Sequence, residues 1–143
     1  MKTFFLLLFI FLCSITFGQF RRPTINLIND NGSREGLWVE YFDKENNIIS
    51  SKIRYKNGNQ TGICKFYHPN GNRRLKWHYY KNRIRAKYYF ENGQLEQKGW
   101  SKIEYSGKDT HYYWHGKWKF YDIHRKLIRV GNYINGEEVT HTP

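Results

Sequence analysis

The chain has 143 residues, with 24 Lys and Arg against 12 Asp and Glu, a formal net charge of +12 and 19% aromatic side chains. That many aromatics supply surface worth burying, which excludes disorder, and the length excludes a multidomain enzyme. Two cysteines exclude a disulfide-stapled scaffold, and collagen-like and coiled-coil compositions are absent.

The N-terminus reads as a segment that leaves before folding. Lys2 gives a positive start, Phe4 to Leu12 is an unbroken apolar run, and Thr16, Phe17 and Gly18 follow. Small residues at the minus-three and minus-one positions of a cut after Gly18 complete a secretory signal peptide over 1–18. The run falls short of the ~20 apolar residues a membrane anchor needs. Cys13 as a lipid-modified residue is disfavoured by the bulky Leu12 before it. Cleavage removes Lys2 and Cys13, lowering the charge by one to +11 and leaving Cys64 alone, so no internal disulfide can form. The expectation is an exported protein, periplasmic, envelope-bound or extracellular, with no transmembrane segment after cleavage. Residues 19–35 read as a lead-in segment, 36–138 as a hairpin-repeat domain and 139–143 as a C-terminal tail.

The strongest local signal after the leader is the dipeptide Asn-Gly, at Asn31, Asn57, Asn70, Asn92 and Asn135. It suits type I′ turns, whose two central residues need positive φ. Short runs of Tyr, Phe, Trp and Ile lie between these pairs and favour strands. Two-residue turns at Asn57-Gly58, Asn70-Gly71, Asn82-Arg83 and Asn92-Gly93 set a register. Ser51 then faces Cys64, Cys64 faces Trp77, Trp77 faces Tyr88, and Ala86 faces Gly99. One face collects Ile49, Ile53, Cys64, Phe66, Leu75, Trp77, Ala86, Tyr88, Phe90 and Leu95. A one-residue slip would scatter this set, because side chains alternate faces. The fold class predicted is all-β, a single-layer twisted antiparallel meander of hairpin repeats. Curling would help such a sheet hide its one apolar face.

The hairpins also repeat. Gly36, Trp38 and Tyr41 recur as Gly62, Cys64 and Tyr67, and again as Gly116, Trp118 and Tyr121. A degenerate copy carries Ala86, Tyr88 and Tyr89. Loose spacing fits an array with variable loops, and the longest step holds an insertion around Gly107 to Tyr113. Gly116-Lys117-Trp118-Lys119-Phe120-Tyr121 with Tyr133-Ile134-Asn135-Gly136 resembles the MORN-repeat-variant pattern. Gly36-Leu37-Trp38-Val39-Glu40-Tyr41 with Tyr55-Lys56-Asn57-Gly58 resembles it equally. The resemblance covers Gly36 to Glu138. It implies a non-catalytic array of MORN-like β-hairpins, and some members of that family are named as antitoxins of toxin–antitoxin pairs. Classical MORN proteins are associated with membranes and protein scaffolding. These motifs concern strands and turns, so they speak for fold more than for function.

Charge is uneven along the chain. Residues 68–90 hold Arg73, Arg74, Lys76, Lys81, Arg83, Arg85 and Lys87 and no acid, whereas 19–67 are net +3 and 91–143 net +1. The register places Arg74, Lys76, His78 and Tyr80 opposite the apolar face, beside Arg85, Lys87 and Tyr89. It pairs Tyr80 with Arg85, Lys76 with Tyr89, Arg74 with Glu91 and Lys87 with His78. Arg74, Lys76, Tyr80, Arg85, Lys87 and Tyr89 are therefore the candidate partner-binding residues. Cations and aromatics on one face suit an anionic partner. The competing reading is a solvated outer face that keeps the sheet from edge pairing.

Three other groups are candidates for chemistry. His111, His115 and His124 are the only His cluster, but a zinc site needs converging ligands and no Cys or acidic pair completes one. Cys64 occupies the slot of Trp38 and Trp118, a core slot where a free thiol behaves as a small hydrophobe. Glu40 points inward, opposite Ile53, where a raised pKa would suit an acid; an open sheet end would instead let it reach water. No phosphate loop, nucleophile elbow or paired-carboxylate spacing occurs, so no enzyme, cofactor or metal is expected. The leading expectation is an exported, non-catalytic module that binds a protein partner, including a toxin it would neutralise. The alternative is an envelope-associated protein that binds anionic lipid or polysaccharide through a cationic strip. Nucleic acid, the usual partner of basic aromatic surfaces, is disfavoured by export.

Overall fold

A computed structural model describes residues 24–106 and 109–139. The signal peptide assigned to 1–18 and the tail beyond 139 lie outside these residues. The chain is all-β. Its strands are β1 (Leu27–Ile28), β2 (Arg34–Tyr41), β3 (Ile49–Lys56), β4 (Asn59–Gln60), β5 (Ile63–Tyr67), β6 (Arg73–Tyr80), β7 (Arg83–Tyr89), β8 (Leu95–Ser106), β9 (Asp109–Tyr121), β10 (Leu127–Ile134) and β11 (Glu137–Glu138). They form one open antiparallel sheet in which neighbours in sequence are neighbours in space, with β4 pairing back onto β3. Among the described residues no helix is long and apolar enough to cross a membrane.

The five Asn-Gly pairs all make turns, but not the same turn. At Asn57-Gly58 and Asn135-Gly136 both residues have positive φ, 49° and 78° then 50° and 91°, as type I′ requires. At Gly32, Gly71 and Gly93 only the glycine is left-handed. There the loop closes with an i to i+3 bond, His68 to Gly71 or Phe90 to Gly93, followed by a bulge. This is the three-residue hairpin with a left-handed closing residue. Arg125 fills that role in the β9–β10 turn, at φ 68°.

The register is corrected in three places, each by two residues, the first being β2–β3, where Glu40 faces Ser51 rather than Ile53. After the Asn57-Gly58 turn, the left-handed Gly62 lets the chain bulge, so Ser51 faces Phe66 rather than Cys64. The β6–β7 turn is Lys81-Asn82 rather than Asn82-Arg83, so Trp77 faces Ala86 and Leu75 faces Tyr88. These slips are even, so side chains away from the bulges keep their faces. The Asn70 and Asn92 registers hold away from the turns, with Cys64 opposite Trp77 and Ala86 opposite Gly99, while a bulge beside each turn puts Tyr67 opposite Arg73 and Tyr89, rather than Phe90, opposite Leu95.

The apolar face holds two clusters. Ile53, Tyr55 and Cys64 pack with Trp38, Phe66, Trp77 and Tyr79. Ala86, Trp118 and Tyr133 pack with Trp77, Tyr88, Trp114 and Phe120. Trp77 joins them. The sheet also curls onto this face. The Tyr112 ring on β9 lies 5.6 Å from the Trp77 ring on β6, although three strand spacings separate β6 from β9, about 14 Å if flat. The inserted residues around Tyr113 lengthen β8 and β9 into an arm whose Tyr112 packs back over the core. Gly99 permits the closest approach, because the fully buried Trp118 indole occupies the space where a side chain would stand.

The lead-in folds against the first hairpin. The Asn26 side chain both donates to the Val39 carbonyl and accepts from the Val39 amide, copying a strand neighbour, and β1 pairs with β2. The β2 edge is thereby capped. At the other end, β11 covers only Tyr133 and Ile134 of β10.

Candidate functional site

The face opposite the core carries a row of lysines that crosses the sheet. Lys52 faces Lys65, Lys65 faces Lys76, Lys76 faces Lys87, Lys87 faces Lys98 and Lys98 faces Lys119. Six lysines on six neighbouring strands thus form one row perpendicular to the strands. With strands ~4.8 Å apart, the row runs about 24 Å. Val39 continues it at one end and Val130 at the other. Five of the six lysines are half-buried, their stems lying along the sheet while the ammonium groups reach water.

A second row lies beside the first. His78 faces Arg85, Arg85 faces Trp100, and Trp100 faces His115. Beyond it Tyr80 faces Arg83, and Arg83 faces Lys102. None of these rows contains an acidic residue. Among the described residues the ion pairs are Arg34–Glu40 and Arg129–Glu138, and neither involves a lysine of the row. Lys98 has an aromatic neighbour, its Nζ lying 5.2 Å from the centre of the Tyr121 ring.

Three concavities follow these rows. The first is bounded by Lys76, His78, Arg85 and Lys87. The second shares Arg85 and adds Lys98, Trp100, Lys117 and Lys119. The third, about 630 Å3, shares Trp100 and adds Tyr80, Arg83, Lys102 and His115. Trp100 is held firmly. The Arg83 guanidinium sits 4.5 Å from its ring centre and the Tyr80 ring 5.3 Å away. Its carbonyl accepts a 2.9 Å hydrogen bond from Trp118 Nε1 in the core. His115 Nδ1 is buried with no hydrogen-bond partner among the described residues.

The candidate residues read from sequence divide on this geometry. Lys76 and Lys87 lie at the centre of the lysine row, and Arg85 is their neighbour in the second. Tyr80 belongs to the wall of the largest concavity. Exposed Arg74 lies further along β6 in the same alternation. Tyr89 does not lie opposite Lys76. It sits past the β7–β8 bulge opposite Leu95, with the Arg73 guanidinium 5.5 Å from its ring and its carbonyl bonded to His68 Nε2. The expected pairs Tyr80–Arg85, Lys76–Tyr89, Arg74–Glu91 and Lys87–His78 are replaced for the reason given above, the earlier turn at Lys81-Asn82. Sequence reasoning missed Lys52, Lys65, Lys98, Lys119 and Trp100. The available signal was an outward-facing lysine on each of six neighbouring strands.

The other groups hold no comparable site. His111 faces Glu104 on the arm, His115 faces Trp100, and His124 lies in the β9–β10 turn. Among the described residues no group of three or more His, Cys, Asp or Glu is placed to hold a metal. Cys64 is fully buried, and burial pushes its thiol above the ordinary range. Glu40 lies on the core face opposite Ser51 rather than Ile53, where it is exposed, accepts a hydrogen bond from Ser51 Oγ and pairs with Arg34. Tyr79 donates to Gln60 from the core, and burial raises its hydroxyl far above the usual value. No family model, curated protein or solved structure matches the chain.

Proposed function

We propose that this chain is a non-catalytic binding module that captures an anionic partner on its lysine face. The row itself carries the reading: six lysines directly opposite one another, with no acid among them. Like charges directly opposite one another destabilise a sheet, and a bound polyanion removes that repulsion while gaining from the local field. The resemblance to MORN-repeat-variant hairpins supports a role without catalysis. The signal-peptide pattern supports export, so the anions in question are those of an envelope or exterior.

Capture of a protein, including a toxin to be neutralised, is the second reading. One observation favours it. Ile128, Val130 and Ile134 leave an exposed apolar strip on β10 beside Lys119, which an acidic protein would cover together with the lysines.

The test is equilibrium binding to a panel of polyanions across a salt series. Binding is expected at low ionic strength, fading steeply as added salt shortens the Debye length from ~30 Å to ~8 Å. Lys76→Glu with Lys87→Glu should weaken it strongly. Absence of binding to every polyanion at low salt, or unchanged binding by that variant, would sink the reading.

A further inference from the structure

We infer that the ligand is a linear acidic polysaccharide lying across the strands, with its charges on the lysine row and one sugar ring against Trp100. The inference rests on the anion-binding reading above and adds the ligand's chemistry and direction.

The spacing argues first. The row presents one positive charge on each of six neighbouring strands, whose backbones lie ~4.8 Å apart. A polymer with one carboxylate per hexose has a similar repeat, so successive sugars can address successive lysines. Lysine is a compact, hydrated point charge suited to single carboxylates, whereas phosphate recognition that depends on planar, two-pronged contacts prefers arginine.

The floor argues second. Trp100 borders both the Lys98–Lys119 concavity and the largest one, beside Tyr80, Arg83 and His115. An aromatic plane next to cations fits the apolar C–H side of a pyranose, and hydroxyls at its rim can reach the cations. His115 Nδ1, buried without a partner, is placed in that wall. A lipid bilayer needs neither a fixed charge spacing nor a concave aromatic wall.

The experiment uses the chain with three probes: oligogalacturonates of increasing length, polyglutamate, and vesicles of phosphatidylglycerol in phosphatidylcholine. Oligogalacturonate affinity should climb with length until there is one sugar per lysine of the row, then level off. Trp100→Ala should lower oligogalacturonate affinity about tenfold, the size of one lost ring contact, and leave polyglutamate unchanged. Trp100→Phe should restore most of it, and a thermal melt of each variant confirms folding. Equal loss for both polymers, no loss for either, no length dependence, or tighter binding to vesicles overturns the polysaccharide inference while the anion-binding reading stands. Failure of all three probes at low salt overturns that underlying reading instead.

Discussion

Gly99→Ala should be among the most damaging single-methyl additions in this chain. Gly99 lies mid-strand without positive φ, so alanine would ordinarily be neutral or favourable there, by about 0.5–1 kcal/mol. Here the new Cβ would fall closer than 3.0 Å to Cγ, Cδ2 and Cε2 of Trp118. Carbon atoms prefer ~3.5–4.0 Å, so the indole must retreat by roughly 1 Å. Trp118 has no space to do so: it is fully buried, stacked 4.0 Å from Trp114, and bonded through Nε1 to the Trp100 carbonyl. Overpacking costs ~1–3 kcal/mol and a stranded indole N–H another ~1–3, so about 3–5 kcal/mol is expected. That is a large share of a typical ~5–15 kcal/mol stability. For a chain of this size it should lower Tm by more than about 10 °C. Urea and thermal melts followed by near-ultraviolet circular dichroism measure it. The decisive comparison repeats the substitution in a Trp118→Leu background, where the steric partner is gone and alanine should cost under about 1 kcal/mol. An unchanged Tm for Gly99→Ala, or an equal penalty in both backgrounds, refutes the reasoning.

Three more outcomes follow from named contacts. Added sodium chloride should raise the melting temperature at neutral pH, because it screens five like-charged cross-strand lysine contacts; a flat or falling Tm would show that the row is not under repulsion. Asp43 is held ionised chiefly by the Ile48 amide, which outweighs desolvation, with the Asn47 amide adding to it, so its folded pKa lies below the ordinary aspartate range. Its stabilisation of the β2–β3 loop is present above the unfolded pKa and is lost as pH falls through the lower folded value. The amide shifts of Asn47 and Ile48 should therefore titrate with a midpoint below that of an unstructured aspartate, and a midpoint at or above it would contradict the contact. Cys64 should resist alkylation in the folded chain and react only as fast as the chain opens, whereas rapid labelling under native conditions would place the thiol elsewhere.

Faces were legible in the sequence, while the alignment along the strands was not. The period-two pattern around Cys64, Trp77 and Ala86 assigns sides correctly even where the turn is misplaced, because the misplacements were even. The sequence suggests a turn at Asn82-Arg83, yet Lys81-Asn82 closes the hairpin without positive φ at either residue. That two-residue difference hid the lysine row. With the earlier register, Lys76 faces Tyr89; with the true one, it faces Lys87. Counting charge by segment had a similar effect, concentrating attention on 68–90. The row takes Lys52 and Lys65 from a segment of net +3, and Lys98 and Lys119 from one of net +1. Charge that is dilute along the chain becomes dense across the sheet. For Trp100 the Asn92 register already implies the pairing with Arg85, and what the sequence leaves out is the pairing with His115 across the β8–β9 irregularity.

The two faces of this sheet are mechanically joined at one peptide. Gly99 makes room for Trp118 on the core side, and the next residue, Trp100, turns to the cationic side. The β8–β9 pairing shifts between Lys98 and Trp100, leaving two extra residues on β9, and left-handed Gly116 lies within the stretch that absorbs them. The Trp118 Nε1 bond to the Trp100 carbonyl then anchors the groove's aromatic from beneath. A single-layer sheet has no second layer to fix its outer side chains, so their positions depend on strand geometry set by the core face. Gly99→Ala should therefore disturb the groove as well as the core. In fragments of the population that remain folded, it should weaken oligogalacturonate more than polyglutamate, the same selectivity expected of Trp100→Ala. Lys76→Gln, whose perturbation lies wholly on the outer face, should weaken both polymers and leave the near-ultraviolet spectrum of the tryptophans unchanged. A loss of that spectral signature in Lys76→Gln would show that the lysine row, too, is built into the packing rather than laid upon it.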